Sequence, residues 1–263
     1  MKGIHMKNYF YGGASDIGYS RENNEDYMNI LELDDTTLFA ILCDGAGSKC
    51  SSLQPAAITA NHICDAVKRI YKAVPDLFLS NTALFLQEAL LSANQVLGAF
   101  RKGNEYLYAG FGSGVTCCVC SEKGKLTFAH TGNSRIYLIR INPKDKLPTM
   151  RQLTRDHTKA QRLLDEGHIT AEQYHTHPDR LTITSCLGVS SDPIIQAYAG
   201  SLKKDDILLM TTDGIHYAII PDAIMQLVIA AENCDSAVGT LIEAAKIQKY
   251  PDNMSAIVLW NRS

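Results

Sequence analysis

Four short acidic segments hold the residues best suited to chemistry: Arg21-Glu22-Asn23-Asn24-Glu25-Asp26, Asp44-Gly45-Ala46-Gly47, Asp213-Gly214 and Asp252-Asn253. Two of these aspartates follow strongly apolar runs, Leu38-Phe39-Ala40-Ile41-Leu42-Cys43 before Asp44 and Ile207-Leu208-Leu209-Met210 shortly before Asp213. The third, Asp252, stands just ahead of Ala256-Ile257-Val258-Leu259-Trp260. Apolar runs of that length, bounded by turn residues, read as buried strands. Each carboxylate then sits where a core strand meets a loop. Carboxylates gathered there repel one another, by roughly 4 kcal/mol for a pair about 4 Å apart at an effective dielectric near 20. A cation removes that cost, and an all-oxygen donor set suits Mg²⁺ or Mn²⁺ better than zinc.

Three readings of the acidic segments compete. Asp-Gly and Pro-Asp-Asn are turn formers for backbone reasons alone. That explains any one segment, but poorly explains four that are each joined to an apolar run. A calcium-binding loop fails on spacing, because the chain has no D-x-D-x-D-G run. The third reading is a binuclear centre in which one carboxylate bridges two ions about 3.5–4 Å apart and a water between them becomes the nucleophile.

The elements that position these residues can be read from hydrophobic periodicity. Residues 9 to 43 read as strand, turn, strand, with Asp34-Asp35 at the turn. Ala56, Ala60, Ile63, Val67 and Ile70 keep helical spacing between Pro55 and Val74, and a second helix runs from about Thr82 to Arg101. Strands follow at Gly114–Cys120 and Leu126–His130, joined by the turn Glu122-Lys123-Gly124-Lys125. Arg135–Arg140 and Met150–Thr154 continue the set. Residues 156 to 193 are polar and rich in histidine, with one short helix at Thr158–Glu166, and read as an excursion over the surface. Strands at Ile194–Ala199 and Ile207–Thr212, helices at Asp222–Ala231 and Ser236–Lys249, and a final strand complete the chain. Helix pairs interrupting runs of strands, without regular β-α-β alternation, predict an α+β layered sandwich of mainly antiparallel sheets.

Composition narrows the function. The chain has 263 residues, 46% hydrophobic and 20% charged, long enough for one full core and without a linker or internal repeat to divide it. A net charge of −3 gives no reason to expect nucleic acid or an anionic membrane as partner. No apolar stretch approaches the roughly 20 residues that span a bilayer. Met1-Lys2-Gly3-Ile4-His5-Met6-Lys7 has no signal-peptide core, so a cytoplasmic protein is expected. Cys43, Cys64, Cys117, Cys118, Cys120, Cys186 and Cys234 mostly lie in apolar runs, with no C-x-x-C pair, and read as reduced structural residues. Gly110-Phe111-Gly112-Ser113-Gly114 leads into a strand, whereas a nucleotide loop opens a helix.

The ordered set of segments resembles the metal-dependent type 2C serine/threonine protein phosphatases, in their compact bacterial form. Ser15-Asp16-Ile17-Gly18 with Arg21-x-x-Asn24-Glu25-Asp26 is similar to the family's opening motif, and Leu38 to Gly47 to its strand ending in Asp-Gly-x-Gly. Gly114-Val115-Thr116 and Thr131-Gly132-Asn133-Ser134-Arg135-Ile136-Tyr137 are similar to its central hairpin. Leu153-Thr154-x-Asp156-His157 and the stretch from Leu164 through His177-Pro178 to Leu187-Gly188 look like its flap. Thr212-Asp213-Gly214 and Asp252-Asn253 match the last two metal motifs. The resemblance covers nearly the whole chain. It implies a single domain over 1–263, a four-layer α-β-β-α sandwich with helix pairs outside two antiparallel sheets, and a flap subdomain at about 156–193.

The resemblance also implies roles. Asp44 would bridge two Mn²⁺ or Mg²⁺ ions, with the Gly45 carbonyl on one of them. Asp213 and Asp252 would complete the first ion, and Asp26 or Glu25 would face the second. Arg21 would clamp the substrate phosphate, for which its planar fork is well shaped. The expected substrates are proteins phosphorylated on Ser or Thr by a Ser/Thr kinase, and the expected enzyme is a monomer. Two departures stand out. Asn133 occupies the place of an aspartate that the family associates with a third metal, and a neutral amide lacks its charge, so two ions are expected. Ala46 leaves no histidine after Asp44-Gly45 to protonate the leaving group, which falls to water; His62 reads as an ordinary helix residue. His157, His168, His175 and His177 are irregularly spaced and read as solvated loop residues rather than ligands. The rival reading is a pseudophosphatase, a regulatory module that binds phosphoproteins without turnover.

Overall fold

The computed structural model describes residues 8–47, 53–102 and 110–262, so the reading of Met1–Lys7 lies outside the described residues. Two five-stranded antiparallel sheets stack face to face. In chain order the strands are β1 (Tyr9–Asp16), β2 (Asp26–Glu32), β3 (Leu38–Ala46), β4 (Gly112–Ser121), β5 (Lys125–Thr131), β6 (Arg135–Ile141), β7 (Pro148–Gln152), β8 (Gln196–Ser201), β9 (Ile207–Thr211) and β10 (Met254–Asn261). The helices are α1 (Pro55–Ala73), α2 (Pro75–Ser80), α3 (Thr82–Arg101), α4 (Lys159–Asp165), α5 (Ala171–Thr176), α6 (Asp213–His216), α7 (Pro221–Ala230) and α8 (Cys234–Ile247). One sheet has the order β1-β10-β9-β6-β7, the other β2-β3-β4-β5-β8. Helices α1 and α3 cover the second sheet, while α7 and α8 cover the first. The four-layer α+β sandwich predicted from the sequence is the observed fold.

The continuous apolar runs follow from this layering. Side chains alternate between the two faces of a strand, and here both faces of the central strands are covered. Leu38, Ala40 and Leu42 of β3 point into the core between the sheets. Phe39, Ile41 and Cys43 of the same strand pack under α1 and α3. β10 does likewise, sending Ile257 and Leu259 between the sheets and Ala256 and Val258 under the α7–α8 layer. Three apolar layers result, and each needs its own side of the alternation. A polar replacement on either face of β3 would be buried.

Most predicted elements appear, with instructive shifts. Pro55 occupies the first turn of α1, where its missing N–H costs nothing, and Pro75 ends the continuous helix and begins the short α2. β8 was expected at Ile194–Ala199 but pairs only from Gln196, opposite His130, because its partner β5 runs out at Thr131. Ile194 is left exposed. β7 starts at Pro148 rather than Met150, a position an edge strand tolerates. The excursion over 156–193 holds no strand among its described residues, but contains α5 and a 3₁₀ turn at Pro178–Leu181 besides the expected α4. The Glu122–Lys125 connection is a tight turn with Lys123 and Gly124 both at positive φ.

Candidate active site

Strand ends deliver the acidic residues to one place. Asp26 opens β2 directly opposite Asp44 near the end of β3, and Asp44 in turn lies opposite Gly114 of β4. Asp213 follows β9 and Asp252 precedes β10, which are neighbours in the other sheet. A cavity of about 280 Å³ opens where these ends meet, lined by Asp44, Asp213, Asp252, Glu25, Arg21 and Asn133, with Gly45 and Asn253. Leu181, Ile183 and Cys186 from the excursion form its far wall. Of the predicted site residues, Arg21, Asp44, Gly45, Asp213 and Asp252 therefore share one cavity.

Asp26 is placed differently. It is buried, and its Oδ2 accepts a hydrogen bond from Thr212 Oγ1 at 2.8 Å and lies 2.7 Å from Ser255 Oγ. Glu25, its neighbour, lines the cavity instead. The pattern Glu25-Asp26 thus divides its labour, one carboxylate facing the cavity and the other tying β2 to the β9 and β10 ends. The sequence left these two residues as alternatives because adjacent residues on a strand differ only in which face they present.

Close backbone packing holds the loops in register. A Cβ on Gly214 would lie 1.9 Å from the Asn253 carbonyl oxygen, and one on Gly18, at φ +79°, would lie 2.0 Å from the Asp252 carbonyl oxygen. Only glycine fits either position. Gly45 is similarly confined, 2.6 Å from the Glu25 carbonyl oxygen for an added Cβ. Asn253 completes the frame. Its Oδ1 accepts from the Glu25 N–H at 2.9 Å, and its Nδ2 donates to the Ile17 and Asn23 carbonyls at 2.9 and 3.0 Å. Asn24 adds an Nδ2 donor to Ser15 Oγ at 2.7 Å. The sequence singled out Asn253 as part of a motif; its task of joining the Ile17–Glu25 loop to β10 depends on contacts more than 200 residues apart.

The electrostatics of the cavity are those of a site short of positive charge. Burial pushes the Asp44 carboxyl well above the usual carboxylate range, and Asp213, Asp26 and Asp252 push it further. Burial raises Asp213 to about 7, with Asp252 adding to it and Asn133 opposing. Asp26 is likewise raised to about 7 by burial, against the hydrogen bonds from Ser255 and Thr212. Arg21 is the cation at hand: its Nη2 meets Asp252 Oδ1 at 2.8 Å and its Nε donates to the Pro251 carbonyl at 3.1 Å. Asn133 Nδ2 donates to Asp213 Oδ2 at 2.9 Å.

These pairings bear on whether the residues suit a metal. Among the described residues no group of three or more His, Cys, Asp or Glu side chains is arranged to hold an ion; Asp252 pairs with Arg21, and Asp213 accepts from Asn133. The donor set nevertheless fits hard divalent cations, being all oxygen and mutually repelling until neutralised. The residues that would hold such ions are Asp44, Asp213 and Asp252, after Asp252 and Asp213 turn from their present partners.

Other candidates resolve simply. The lining residues of the cavity include no histidine among those described. His62 bonds Ser92 between α1 and α3 at 2.8 Å, as a helix residue. The expectation of four solvated histidines in the excursion is corrected at His157, which is buried, stacks on His130 at 4.6 Å and accepts the Gly132 N–H at 3.2 Å. Its position directly after Asp156, itself held by Arg135, draws it inward. His168 and His175 are exposed, and His177 caps the turn at Asp179. Cys186 touches the cavity, but burial and the nearby Asp44 push its thiol up to about 11, leaving no thiolate nucleophile at neutral pH.

Comparisons with known proteins agree with this geometry. No family model matches the chain. A putative protein phosphatase 2C-type of Streptococcus pyogenes serotype M6 is 27% identical over 249 residues, covering 95% of this chain and 96% of that protein. The crystal structure of the Mycobacterium tuberculosis serine/threonine phosphatase PstP/Ppp superposes with a TM-score of 0.78 at 25% identity, over 97% of this chain and 100% of that one. The catalytic domain of PstP in complex with two manganese ions superposes with a TM-score of 0.76 at 25% identity, over 97% and 99%. Over nearly its whole length the chain is therefore similar in sequence to type 2C serine/threonine protein phosphatases and similar in fold to solved bacterial ones.

Proposed function

We propose that the chain is a Mn²⁺- or Mg²⁺-dependent phosphatase that hydrolyses phosphoserine and phosphothreonine in proteins. One observation carries the reading: Asp44, Asp213 and Asp252, from three separate strand ends, line a single cavity beside Arg21. The likeness to a phosphatase domain that holds two manganese ions supports the choice of ion. When bound, a pair of divalent ions supplies an activated water as nucleophile and neutralises charge on the phosphate.

The chain's own residues do the rest. Asp44, near the end of β3, would serve both ions, with the Gly45 carbonyl beside it. Asp213 and Asp252 would serve one of them, and Glu25, which lines the same cavity, would face the other. Asp26 holds β2 against Thr212 and Ser255 and so fixes where Glu25 and Asp44 point. Arg21 is 45% exposed at the cavity, free to exchange Asp252 for a phosphate oxygen. Its fork binds two phosphate oxygens at once and orients the ester. Solvent donates the proton to the leaving serine or threonine oxygen. Leu181 and Ile183 give the mouth an apolar wall suited to a peptide flanking the phosphorylated residue. We further infer action in the cytoplasm on the products of a Ser/Thr kinase. The free state of the seven described cysteines suits a reducing compartment, and no described helix is long and apolar enough to cross a membrane.

The test is direct. With Mn²⁺ the protein should hydrolyse p-nitrophenyl phosphate and a phosphothreonine peptide, and EDTA should abolish both activities. Asp44→Asn and Asp213→Asn should each remove turnover while the circular dichroism spectrum stays native. Near-normal rates in either variant would show that the ligands are misassigned, and binding of the phosphopeptide without any turnover would favour the pseudophosphatase.

A further inference from the structure

A second cavity, of about 560 Å³, lies at the opposite end of the strands that carry Asp213 and Asp252. β9 enters beside it at Ile207 and leaves toward Asp213, while β10 arrives from Asp252 and reaches it at Trp260. At about 3.3 Å per strand residue, Ile207 and Asp213 are roughly 20 Å apart along the chain path. The cavity is therefore separate from the candidate active site, and no residue lines both.

Its charge is unlike that of the chain. Arg140, Lys146, Lys203, Lys204 and Arg262 line it, against two carboxylates, Asp205 and Asp206. The carboxylates are already engaged. Asp206 takes both Arg140 Nε at 2.7 Å and Nη2 at 2.5 Å, and Asp205 takes Arg262 Nη1 at 3.0 Å. Lys146, Lys203 and Lys204 are exposed and have no ion-pair partner among the described residues. Three uncompensated ammonium groups thus converge on one cavity in a protein whose net charge is −3. The turns presenting them are under backbone constraint: Lys146 at φ 61° and Asp205 at φ 64° both adopt the left-handed region that residues with a Cβ rarely enter.

Scattered surface lysines would not also share apolar walls. Ile141, Ile207, Val228 and Ile229 line the same space as Trp260. The Arg262 guanidinium lies over the Trp260 ring, 3.6 Å from its centroid. Val228 and Ile229 belong to the last turn of α7, whose carbonyls repel an anion, and the three lysines must outweigh them. An apolar cavity of this size with a few convergent charges has the make-up of a small-molecule site.

We propose that this cavity binds an organic anion with an apolar body, its charged head held by Lys146, Lys203 and Lys204 and its body lying against Ile207, Val228 and Trp260. Neither inorganic phosphate, which lacks the body, nor a neutral hydrocarbon, which lacks the head, uses both halves of the site.

Trp260 is the only tryptophan in the chain, so its emission reports on this cavity alone. The Mn²⁺-loaded full chain would be titrated with anilinonaphthalene sulfonate while Trp260 fluorescence is followed. Saturable one-to-one quenching that weakens as salt is raised is the expected result. The double substitution Lys203→Glu with Lys204→Glu should weaken binding roughly tenfold or more, while p-nitrophenyl phosphate hydrolysis stays unchanged. Dodecanoate and adenosine monophosphate would then compete for the site. Displacement by the first marks an aliphatic body and by the second an aromatic one, and either supports the proposal. Displacement by neither overturns it. So does quenching that the lysine variant leaves intact, equal binding of uncharged phenylnaphthylamine, or displacement by inorganic phosphate alone at the same concentration.

Discussion

Arg21 and His130 show how differently a single charged or titratable side chain acts in this protein. The Arg21–Asp252 pair is partly exposed, 45% and 27% for its two side chains, so solvent screens it and it contributes at most about 1 kcal/mol to stability. Arg21→Ala should therefore leave the melting temperature nearly unchanged. A charged hydrogen bond to phosphate is worth about 1.5–3 kcal/mol, so the same variant should lose roughly ten- to a hundredfold in kcat/KM. Steady-state kinetics beside a thermal melt separate the two effects, and unaltered kinetics would remove Arg21 from substrate binding. His130 lies fully buried, with Nε2 donating to the Arg155 carbonyl at 2.8 Å. Burial, with His157 adding to it, lowers its pKa from 6.5 to about 4. The unfolded chain then binds the proton more readily between those values, so stability present above pH 6.5 is lost as pH falls toward 4. The contribution is on the order of 3 kcal/mol. Asp26 and Asp213, raised to about 7, act in the opposite sense, so the comparison is between wild type and His130→Gln at each pH. Urea denaturation should find a shallower acid loss in the variant; parallel curves would mean that His130 is not buried neutral.

At the scale of elements, a buried ion pair helps to fasten the excursion between β7 and β8 to the sandwich. Arg135, at the start of β6, donates from Nε and Nη2 to both oxygens of Asp156, and Tyr174 Oη of α5 donates to the same carboxylate at 2.6 Å. Gln152 Nε2 adds a bond at 2.9 Å. Removing one partner of a buried pair leaves an uncompensated charge, which costs about 3–5 kcal/mol. Asp156→Ala should lower stability by that order and expose 159–185 to limited proteolysis, whereas Asp156→Asn keeps part of the bonding and should lose less. Protease resistance equal to wild type in Asp156→Ala would show that the excursion is held elsewhere. None of this network was legible in the sequence, because Arg135, Asp156 and Tyr174 obey no periodic spacing. Elements with a strong period were legible. The buried faces of α1 and α3 and the double-faced runs of β3, β9 and β10 follow from apolar spacing alone. The short α2, α5 and α6 were not, since a helix of four to six residues is shorter than the pattern that would reveal it.

For the molecule as a whole, three apolar layers hold two sheets and two helix pairs in a stack, and the acidic strand ends emerge at one edge of it. The sequence carried the identity of those ends, because each is a turn sequence fused to an apolar run. It did not carry which of Glu25 and Asp26 faces the cavity, or that Asn253 and the glycines at 18 and 214 lock the loops, since those depend on contacts across the whole chain. The arrangement concentrates carboxylates whose repulsion burial makes worse, and its stability at neutral pH should rise when divalent ions are supplied. The most direct test of that claim is the anomalous difference map of a crystal soaked in Mn²⁺. Two peaks inside the cavity, with the Asp44 carboxylate within reach of both and Asn133 touching neither, are predicted. A cavity without peaks at saturating Mn²⁺, or ions bound only elsewhere, would contradict the account.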